Sequence, residues 1–312
     1  MDSLKAKDWL GSARAWWPDY LFRIDNITSA ASILNDGKLL SRKRASEMGK
    51  MISDSASPGV IAHTSDIWKD YVRLYFRPRT PTQYHSEGIR PSHQYGLGAC
   101  CPVPVFILFN SREIMTRDGA LFSTGNLASS NAEVGDDAKF LRRIPFEDVY
   151  HNDSFGEEAR GRIVFHRHAE VIYPRQLDLD AVKGIYCRTS AERETLLALL
   201  TPTAANRWSN SIGLSSKLNL HYRWWTFLEE VDLAQGLVTL SFNPSSRTPG
   251  PFRIRVEMES RGATYSWSAE SYMANRREEI GIERSLDEYT VVVKLDSDLI
   301  FKSAYRQLVE LV

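Results

Sequence analysis

The chain has 312 residues, of which 43% are hydrophobic and 25% are charged, and its 39 basic side chains balance its 39 acidic ones. This composition is typical of a globular protein with a buried core, and it excludes a polybasic protein and an acidic disordered tail. No apolar run approaches the roughly 20 residues that a membrane helix needs, so we expect no membrane partner. Three cysteines, Cys100, Cys101 and Cys187, are too few for a disulfide scaffold and suit a reducing, cytoplasmic setting.

In chain order, residues 1–200 predict short strands mixed with helices, and we interpret them as one domain. An apolar helix is expected to begin after an N-cap at Thr28 or Ser29 and to end at Gly37. A second helix is expected over 190–200. Strands are predicted where β-forming residues alternate or run together, at 21–24, 71–76, 103–109, 169–173 and 184–187.

Residues 201–312 differ in character and predict a second, β-rich domain. Apolar and polar residues alternate in short segments that are separated by turns rich in proline, glycine and serine. Strands are predicted in this region at 237–242, 252–258, 263–267 and 289–295. Such spacing is typical of a small antiparallel domain with a sandwich-like arrangement.

Several common catalytic motifs do not occur in the sequence. We find no glycine-rich dinucleotide loop, no phosphate-binding loop that ends in Gly-Lys-Ser/Thr, and no nucleophile elbow. The adjacent Cys100 and Cys101 have no second pair at zinc spacing, and His166 and His168 supply two ligands without a third. The sequence therefore predicts no metal site.

Two charged residues lie in local sequence contexts that indicate a structural or functional role. Arg79 lies between Pro78 and Pro81, which restrict the backbone, and a guanidinium held in this way suits either a phosphate or a structural salt bridge. Glu170 is a lone carboxylate in an apolar strand, where it is paired, neutral or catalytic, or exposed at a sheet edge.

Four segments, in this order, resemble motifs of the DarT family of ADP-ribosyltransferases, the toxins of DarT–DarG toxin–antitoxin systems. Residues 23–37 are similar to the family's RITHxxNxxSIL..G, although Asn26 replaces its histidine and Ser29 its asparagine. The segment FRPRTPTQY (76–84) resembles FGPRSPMLY, and FSTGNLA (122–128) resembles FTDGNAA. RHAEVI (167–172) resembles RQAEFLV, which holds the catalytic glutamate. The resemblance covers about residues 20–190 and leaves the C-terminal region, 201–312, unassigned.

The resemblance implies an α+β fold in which a split antiparallel sheet with flanking helices clasps NAD. It implies an NAD-dependent enzyme that transfers ADP-ribose to a nucleobase of single-stranded nucleic acid. Glu170 is the predicted catalytic carboxylate because positive charge develops on the ribose in the transition state, and Arg79 is expected to neutralise the NAD pyrophosphate. The predicted NAD-binding residues are Arg23, Asp25, Asn26, Arg79, and Tyr75 or Tyr84 stacked on the nicotinamide ring.

The predicted nucleic-acid contacts are mostly basic side chains that lie before the first proline-rich segment or just before Glu170. They are Arg42, Lys43, Arg44, Arg160, Arg162, Arg167 and Asn126. DNA is the first choice of acceptor, with a block to replication as the outcome and a cognate antitoxin protein as partner. RNA, with a block to translation, is the alternative; a protein-directed transferase and a non-catalytic binder of nucleic acid or NAD also remain open.

Overall fold

The computed structural model describes residues 1, 8–52, 57–95, 98–281 and 285–307. The α-helices in these ranges are α1 (Ile27–Asp36), α2 (Arg42–Glu47), α3 (Pro58–His63), α4 (Asp66–Lys69), α5 (Pro81–Ser86), α6 (Ser111–Met115), α7 (Ala138–Arg143), α8 (Phe146–Val149), α9 (Glu157–His166), α10 (Ser190–Leu199) and α11 (Pro202–Trp208). Single turns of 3-10 helix lie at Asp8–Leu10, Ser12–Arg14, Trp17–Asp19, Ser92–Gln94 and Ser209–Ser211.

The strands divide into an N-terminal group and a C-terminal group. The N-terminal strands are β1 (Tyr20–Asn26), β2 (Lys38–Leu40), β3 (Tyr71–Tyr75), β4 (Pro104–Asn110), β5 (Leu121–Ser123), β6 (Val134–Gly135), β7 (Glu170–Pro174), β8 (Gln176–Asp178), β9 (Val182–Cys187) and β10 (Ile212–Leu214). The C-terminal strands are β11 (Leu228–Ala234), β12 (Leu237–Phe242), β13 (Phe252–Ser260), β14 (Ala263–Tyr272), β15 (Arg277–Gly281), β16 (Glu288–Leu295) and β17 (Asp298–Arg306).

The largest sheet has eight strands in the order β10-β9-β4-β1-β3-β7-β5-β6, and its neighbours are antiparallel except for the parallel pair β9 and β10. Every residue of β1 pairs with β4, whereas β1 meets β3 at one residue pair, Phe22 and Tyr75. The sheet therefore opens into two halves between β1 and β3. The predicted α+β fold with a split antiparallel sheet is confirmed.

Helix α1 packs on the inner half of this sheet, where it contacts β1 and β4. Its buried face consists of Ile27, Ala30, Ala31 and Leu34, and it ends at Gly37, which has a φ of 68° as the sequence predicts. The predicted N-cap at Thr28 or Ser29 is wrong, because the helix begins directly after β1 at residue 27. The Ile27 N–H donates to the Val103 carbonyl (2.8 Å), so pairing with the neighbouring segment supports the first turn in place of a side-chain cap.

The C-terminal strands form two antiparallel sheets, β11-β12-β15 and β14-β13-β16-β17. In β13, buried residues alternate with more exposed ones at all positions, as the alternation in the sequence predicts. Helix α10 lies against both groups of strands, since it contacts β9 of the first sheet and β11 and β17 of the C-terminal sheets. The predicted C-terminal antiparallel region is confirmed.

Strand β10 lies beyond residue 200, yet it completes the first sheet through its parallel pairing with β9. We therefore propose that the first domain extends past the boundary expected from the sequence and ends between β10 and β11. In the described ranges, no helix is long and apolar enough to cross a membrane.

Candidate active site

A cavity opens where β1 and β3 separate. Strand β3 reads Tyr-Val-Arg-Leu-Tyr, and its alternation buries Val72 and Leu74 while the residues between them stay partly exposed. Polar and aromatic side chains from β1, α2, β3 and α5 line the cavity. Those used below are Arg23, Asp25, Arg42, Arg73, Tyr75 and Thr82.

Glu170 is the first residue of β7 and pairs directly with Tyr75 of β3, at the position where the sheet splits. It is 1% exposed, and its backbone N–H donates to Ser123 Oγ of the adjacent strand β5 (3.1 Å). Arg73 Nε lies 3.1 Å from Glu170 Oε2, within ion-pair distance, but neither atom is aligned for a hydrogen bond to any described residue. Burial raises the pKa of the Glu170 carboxyl, and the positive charges of Arg73 and Arg23 oppose that rise.

Arg23 is fixed across the gap between the two half-sheets. Its guanidinium donates to both carboxylate oxygens of Asp25, from Nε (2.7 Å) and from Nη2 (2.6 Å), and its Nη1 reaches the carbonyl of Arg73 (3.4 Å). Burial disfavours the charge, but Asp25 together with Tyr75 and Glu170 outweighs burial, so the pKa of Arg23 is raised. Arg23 and Asp25 therefore form a charged, rigid wall of the cavity.

Arg42 gives this cavity a third guanidinium. Burial lowers its pKa to about 10, and the like charges of Arg23 and Arg73 add to the effect. Three arginines thus converge on a space that Asp25 also lines, and Glu170 lies just behind this lining, with its Oε2 3.1 Å from Arg73 Nε. Such a site is suited to a ligand that carries both negative charge and groups able to bond a carboxylate.

Tyr75 and Thr82 form the side of the cavity next to Glu170. Burial and the negative charge of Glu170 raise the pKa of Tyr75 to about 12. Thr82 Oγ1 lies 3.1 Å from Nε2 of His168, whose Nδ1 lies 2.9 Å from the carbonyl of Val164. Burial lowers the pKa of His168 to about 4, so this ring is neutral at physiological pH and orients Thr82 without adding charge.

Arg79 is not brought to this cavity. Its backbone has a φ of 57°, and its Nη2 donates to the carbonyl of His221 (2.8 Å) while the guanidinium lies 5.3 Å from the ring centre of Tyr222. Tyr84 likewise packs away from the cavity, with its ring centre 5.5 Å from that of Tyr222. Neither Arg79 nor Tyr84 lines this cavity, so the contacts with NAD expected from the sequence for these two residues stay predictions.

Asn26 also lies outside the cavity lining. Its Oδ1 accepts from the Val103 N–H (3.2 Å), and its Nδ2 donates to Thr28 Oγ1 (3.2 Å). These bonds hold the junction of β1 and α1, so the amide has a local structural task.

The predicted nucleic-acid contacts fall into separate groups. Arg42 lines the cavity, and the exposed Lys43 follows it with Arg44 on α2. Asn126 Oδ1 accepts from the Ala128 N–H (3.0 Å) within a turn. The remaining three lie on or just after α9: Arg160 pairs with Glu157 (3.3 Å), Arg162 pairs with Asp148, and Arg167 donates to the His151 carbonyl (2.9 Å).

Sequence reasoning missed Arg73, Thr82, Ser123 and Tyr222. Arg73 had a local signal, since it alternates with Val72 and Leu74 in a predicted strand and must share a face with Tyr75. Tyr222 had none, because it is far from Arg79 in sequence and only folding brings them together. Among the residues that the structure describes, no group of three or more His, Cys, Asp or Glu side chains is placed to hold a metal ion.

The split sheet places this chain among the ADP-ribosyltransferases in fold. Thermus sp. 2.9 DarT in complex with ADP-ribosylated ssDNA superposes with a TM-score of 0.52 at 15% identity, over 66% of this chain and 97% of that one. Thermosipho africanus DarTG in complex with ADP-ribose gives a TM-score of 0.49 at 19% identity, over 64% of this chain and 50% of that one. No curated protein matches the chain significantly.

The family described as "ssDNA thymidine ADP-ribosyltransferase, DarT" matches residues 22–217. The chain therefore belongs to the DarT family, whose members are NAD-dependent ADP-ribosyltransferases, as its four motifs predict.

Proposed function

We propose that this chain transfers ADP-ribose from NAD to thymidine in single-stranded DNA, with the cavity between β1 and β3 as its active site. One observation carries the proposal: the fully buried Glu170 keeps an oxygen without a hydrogen-bond partner among the described residues, and the Nε and Nη2 of Arg73, its ion-pair partner, lack hydrogen bonds there as well. Buried polar atoms are normally satisfied, so atoms that are not satisfied point to a ligand. The family and the ssDNA-bound relative support DNA as the acceptor.

The residues that line the cavity fit NAD as a substrate. Its pyrophosphate carries two negative charges, and the guanidinium groups of Arg23, Arg42 and Arg73 supply positive charge around the cavity. Its ribose hydroxyls can donate to Glu170 Oε2, which accepts no hydrogen bond from the described residues. We assign the pyrophosphate to these three arginines in preference to Arg79, because they line the cavity and Arg79 does not.

Glu170 acts at the ribose carbon whose bond to nicotinamide is replaced by a bond to the acceptor base. As the bond from this carbon to nicotinamide breaks, its electron pair leaves with nicotinamide, and the ionised carboxylate stabilises the positive charge that develops on the ribose. A ring nitrogen of the base then forms the new bond to the same carbon, and its proton passes to Glu170. A carboxylate with a raised pKa is a better base for this proton than an ordinary glutamate.

The biological proposal rests on this chemistry. A bulky ADP-ribosyl group on a base blocks copying of the strand, so we propose a toxin that acts in the cytoplasm on DNA and is neutralised by a cognate antitoxin protein.

Labelled NAD added to separate pools of single-stranded DNA, duplex DNA, RNA and total protein tests the proposed acceptor. We expect label on single-stranded DNA with the wild-type chain and none with Glu170→Ala. Label on RNA alone would replace DNA by the alternative acceptor, and label on protein alone would assign a protein-directed transferase. No label in any pool, with NAD intact, would overturn the proposal and favour a non-catalytic binder.

A further inference from the structure

Four aromatic side chains form a cluster beside the active-site helix α5. Tyr84 of α5 lies with its ring centre 5.5 Å from Tyr222, 5.7 Å from Trp224 and 5.6 Å from Trp225. We call these four residues the aromatic cluster. Three of them come from the segment between β10 and β11, beyond the end of the family match at residue 217.

One member of the aromatic cluster is a structural anchor. Trp225 is 7% exposed, packs against the backbone at Gly88, and lies 3.7 Å below the guanidinium of Arg90. Arg223, with a φ of 60°, turns the chain just before this anchor. Its N–H and that of Tyr222 each donate to the buried carboxylate of Glu87 (3.0 Å). The segment is therefore held rigidly by its backbone and by Trp225.

The other members are more accessible than a purely structural role needs. Tyr84 is 40% exposed, and Tyr222 and Trp224 are half-buried. Each of the last two carries a guanidinium over its ring: Arg79 lies 5.3 Å from the centre of Tyr222, and Arg247 lies 4.2 Å from that of Trp224. Accessible rings interleaved with arginines are the arrangement that binds single strands, because rings stack on bases while guanidinium groups attract phosphates.

The position of the aromatic cluster links it to the active site. Tyr84 stands two residues after Thr82, which lines the cavity next to Glu170. Arg79, which precedes the same helix, contacts the cluster in two ways: the Tyr222 hydroxyl donates to its carbonyl (3.0 Å), and its guanidinium lies over the Tyr222 ring.

We propose that Tyr84, Tyr222 and Trp224 form a stacking platform for the bases that flank the acceptor base in single-stranded DNA. This inference rests on the proposed function, which supplies the acceptor strand. Arg79 and Arg247 hold the phosphates on either side of the platform. The platform adds affinity for single-stranded DNA without specificity for its base sequence, since every base has a face that can stack.

The test is binding of a fluorescent oligo-dT strand in the absence of NAD, measured by anisotropy for the wild type, Trp224→Ala, Trp224→Leu and Trp224→Phe. Trp267→Ala is the matched control, because Trp267 is a half-buried tryptophan on β14 of the C-terminal sheets. An abasic strand of equal length has the phosphates without the bases. Transfer of ADP-ribose to DNA by the wild type is measured in parallel.

We expect Trp224→Ala and Trp224→Leu to weaken oligo-dT binding roughly tenfold, Trp224→Phe to restore most of it, and Trp267→Ala to have no effect. On the abasic strand, the wild type and Trp224→Ala should bind equally. Wild-type affinity in Trp224→Ala, while the wild type labels DNA, would overturn the platform and leave the proposed function intact. An equal loss on the abasic strand, or full binding by Trp224→Leu, would also overturn it, because either result would show that Trp224 does not bind the strand by stacking on bases. Failure of the wild type to label DNA would overturn the proposed function itself.

Discussion

Two groups of arginine and glutamate side chains lie in this chain, and they differ in how completely the oxygens of their buried carboxylates are hydrogen-bonded. We call Glu87, Arg188 and Glu192 the buried network. Both oxygens of Glu192 accept bonds from Arg188, and both oxygens of Glu87 accept bonds, from Gln83 (2.7 Å) and from the N–H groups of residues 222 and 223. In the cavity between β1 and β3, Glu170 is equally buried, yet its Oε2 and the Nε of Arg73 lack aligned partners in the described part of the chain.

The same residue types therefore serve two purposes. In the buried network, every carboxylate oxygen is satisfied, so the charges join α5, α10 and the segment before β11 into one body. In the cavity, the unsatisfied atoms lower stability but stay available to a ligand. Sites that trade stability for function in this way are expected at active centres.

The largest effect is expected from Glu170→Gln in the cavity. Loss of the negative charge should lower the rate of ADP-ribose transfer about 10²- to 10³-fold, measured with labelled NAD and saturating oligo-dT. The free energy of unfolding at neutral pH should not fall. A folded-state pKa that is raised means that the ionised carboxylate opposes folding above that pKa, and the substitution removes this penalty. Near-normal transfer by this variant would remove Glu170 from the mechanism.

The converse result is expected for Arg188→Met in the buried network. Two buried carboxylates would lose their cation, so the free energy of unfolding should fall by about 3–5 kcal/mol in denaturant titrations. Transfer per folded molecule should change little. Arg253→Met is the control, because its pair with Glu270 is exposed and should contribute less than about 1 kcal/mol. Equal destabilisation by both substitutions would contradict the contrast between the network and the surface.

Arg73→Gln should move the acidic limb of the pH–rate profile. Arg73 is the leading charge that opposes the raised pKa of Glu170, so its removal should raise that pKa further. Activity, which needs the ionised carboxylate, should then be lost at a higher pH as the solution is acidified. Arg73→Lys keeps the charge and should keep the limb near its wild-type position. An unchanged profile in Arg73→Gln would show that another group sets the limb.

Arg42→Gln should have the smallest effect of these changes, and it should fall on NAD binding. Loss of one of three guanidinium groups in the cavity should raise KM for NAD about tenfold with kcat nearly kept. Lys43→Gln on the same helix is the matched control, since Lys43 is exposed and does not line the cavity. Equal effects of the two substitutions would place the NAD phosphates elsewhere.

Local patterns in the sequence predicted the elements that carry this site. The apolar strand around Glu170 and the alternating strand around Arg73 follow from short-range periodicity, and both were predicted within one or two residues of β7 and β3. The end of α1 at Gly37 was predicted because a left-handed C-cap favours glycine. A lone carboxylate in an apolar strand marked Glu170 as a candidate, and the resemblance to the DarT motifs assigned it the catalytic role.

What the sequence left open depends on contacts between distant segments. Arg79 contacts the His221 carbonyl and the ring of Tyr222, and nothing near Arg79 in sequence indicates either contact. Arg42 was expected in a strand-binding groove, whereas the position of α2 puts it in the cavity. Strand β10 was not predicted, because its three residues are too few to show a periodic pattern of apolar and polar side chains.

The measurement that tests the central claim most directly is the intact mass of single-stranded oligonucleotides after incubation with NAD and the enzyme. Oligonucleotides of equal length, with one thymidine or none, are incubated with the wild-type chain and with Glu170→Gln. The account predicts a gain of one ADP-ribosyl group on the thymidine-containing strand with the wild type and no gain with the variant. Equal modification by both enzymes, or modification of the strand that lacks thymidine, would contradict it.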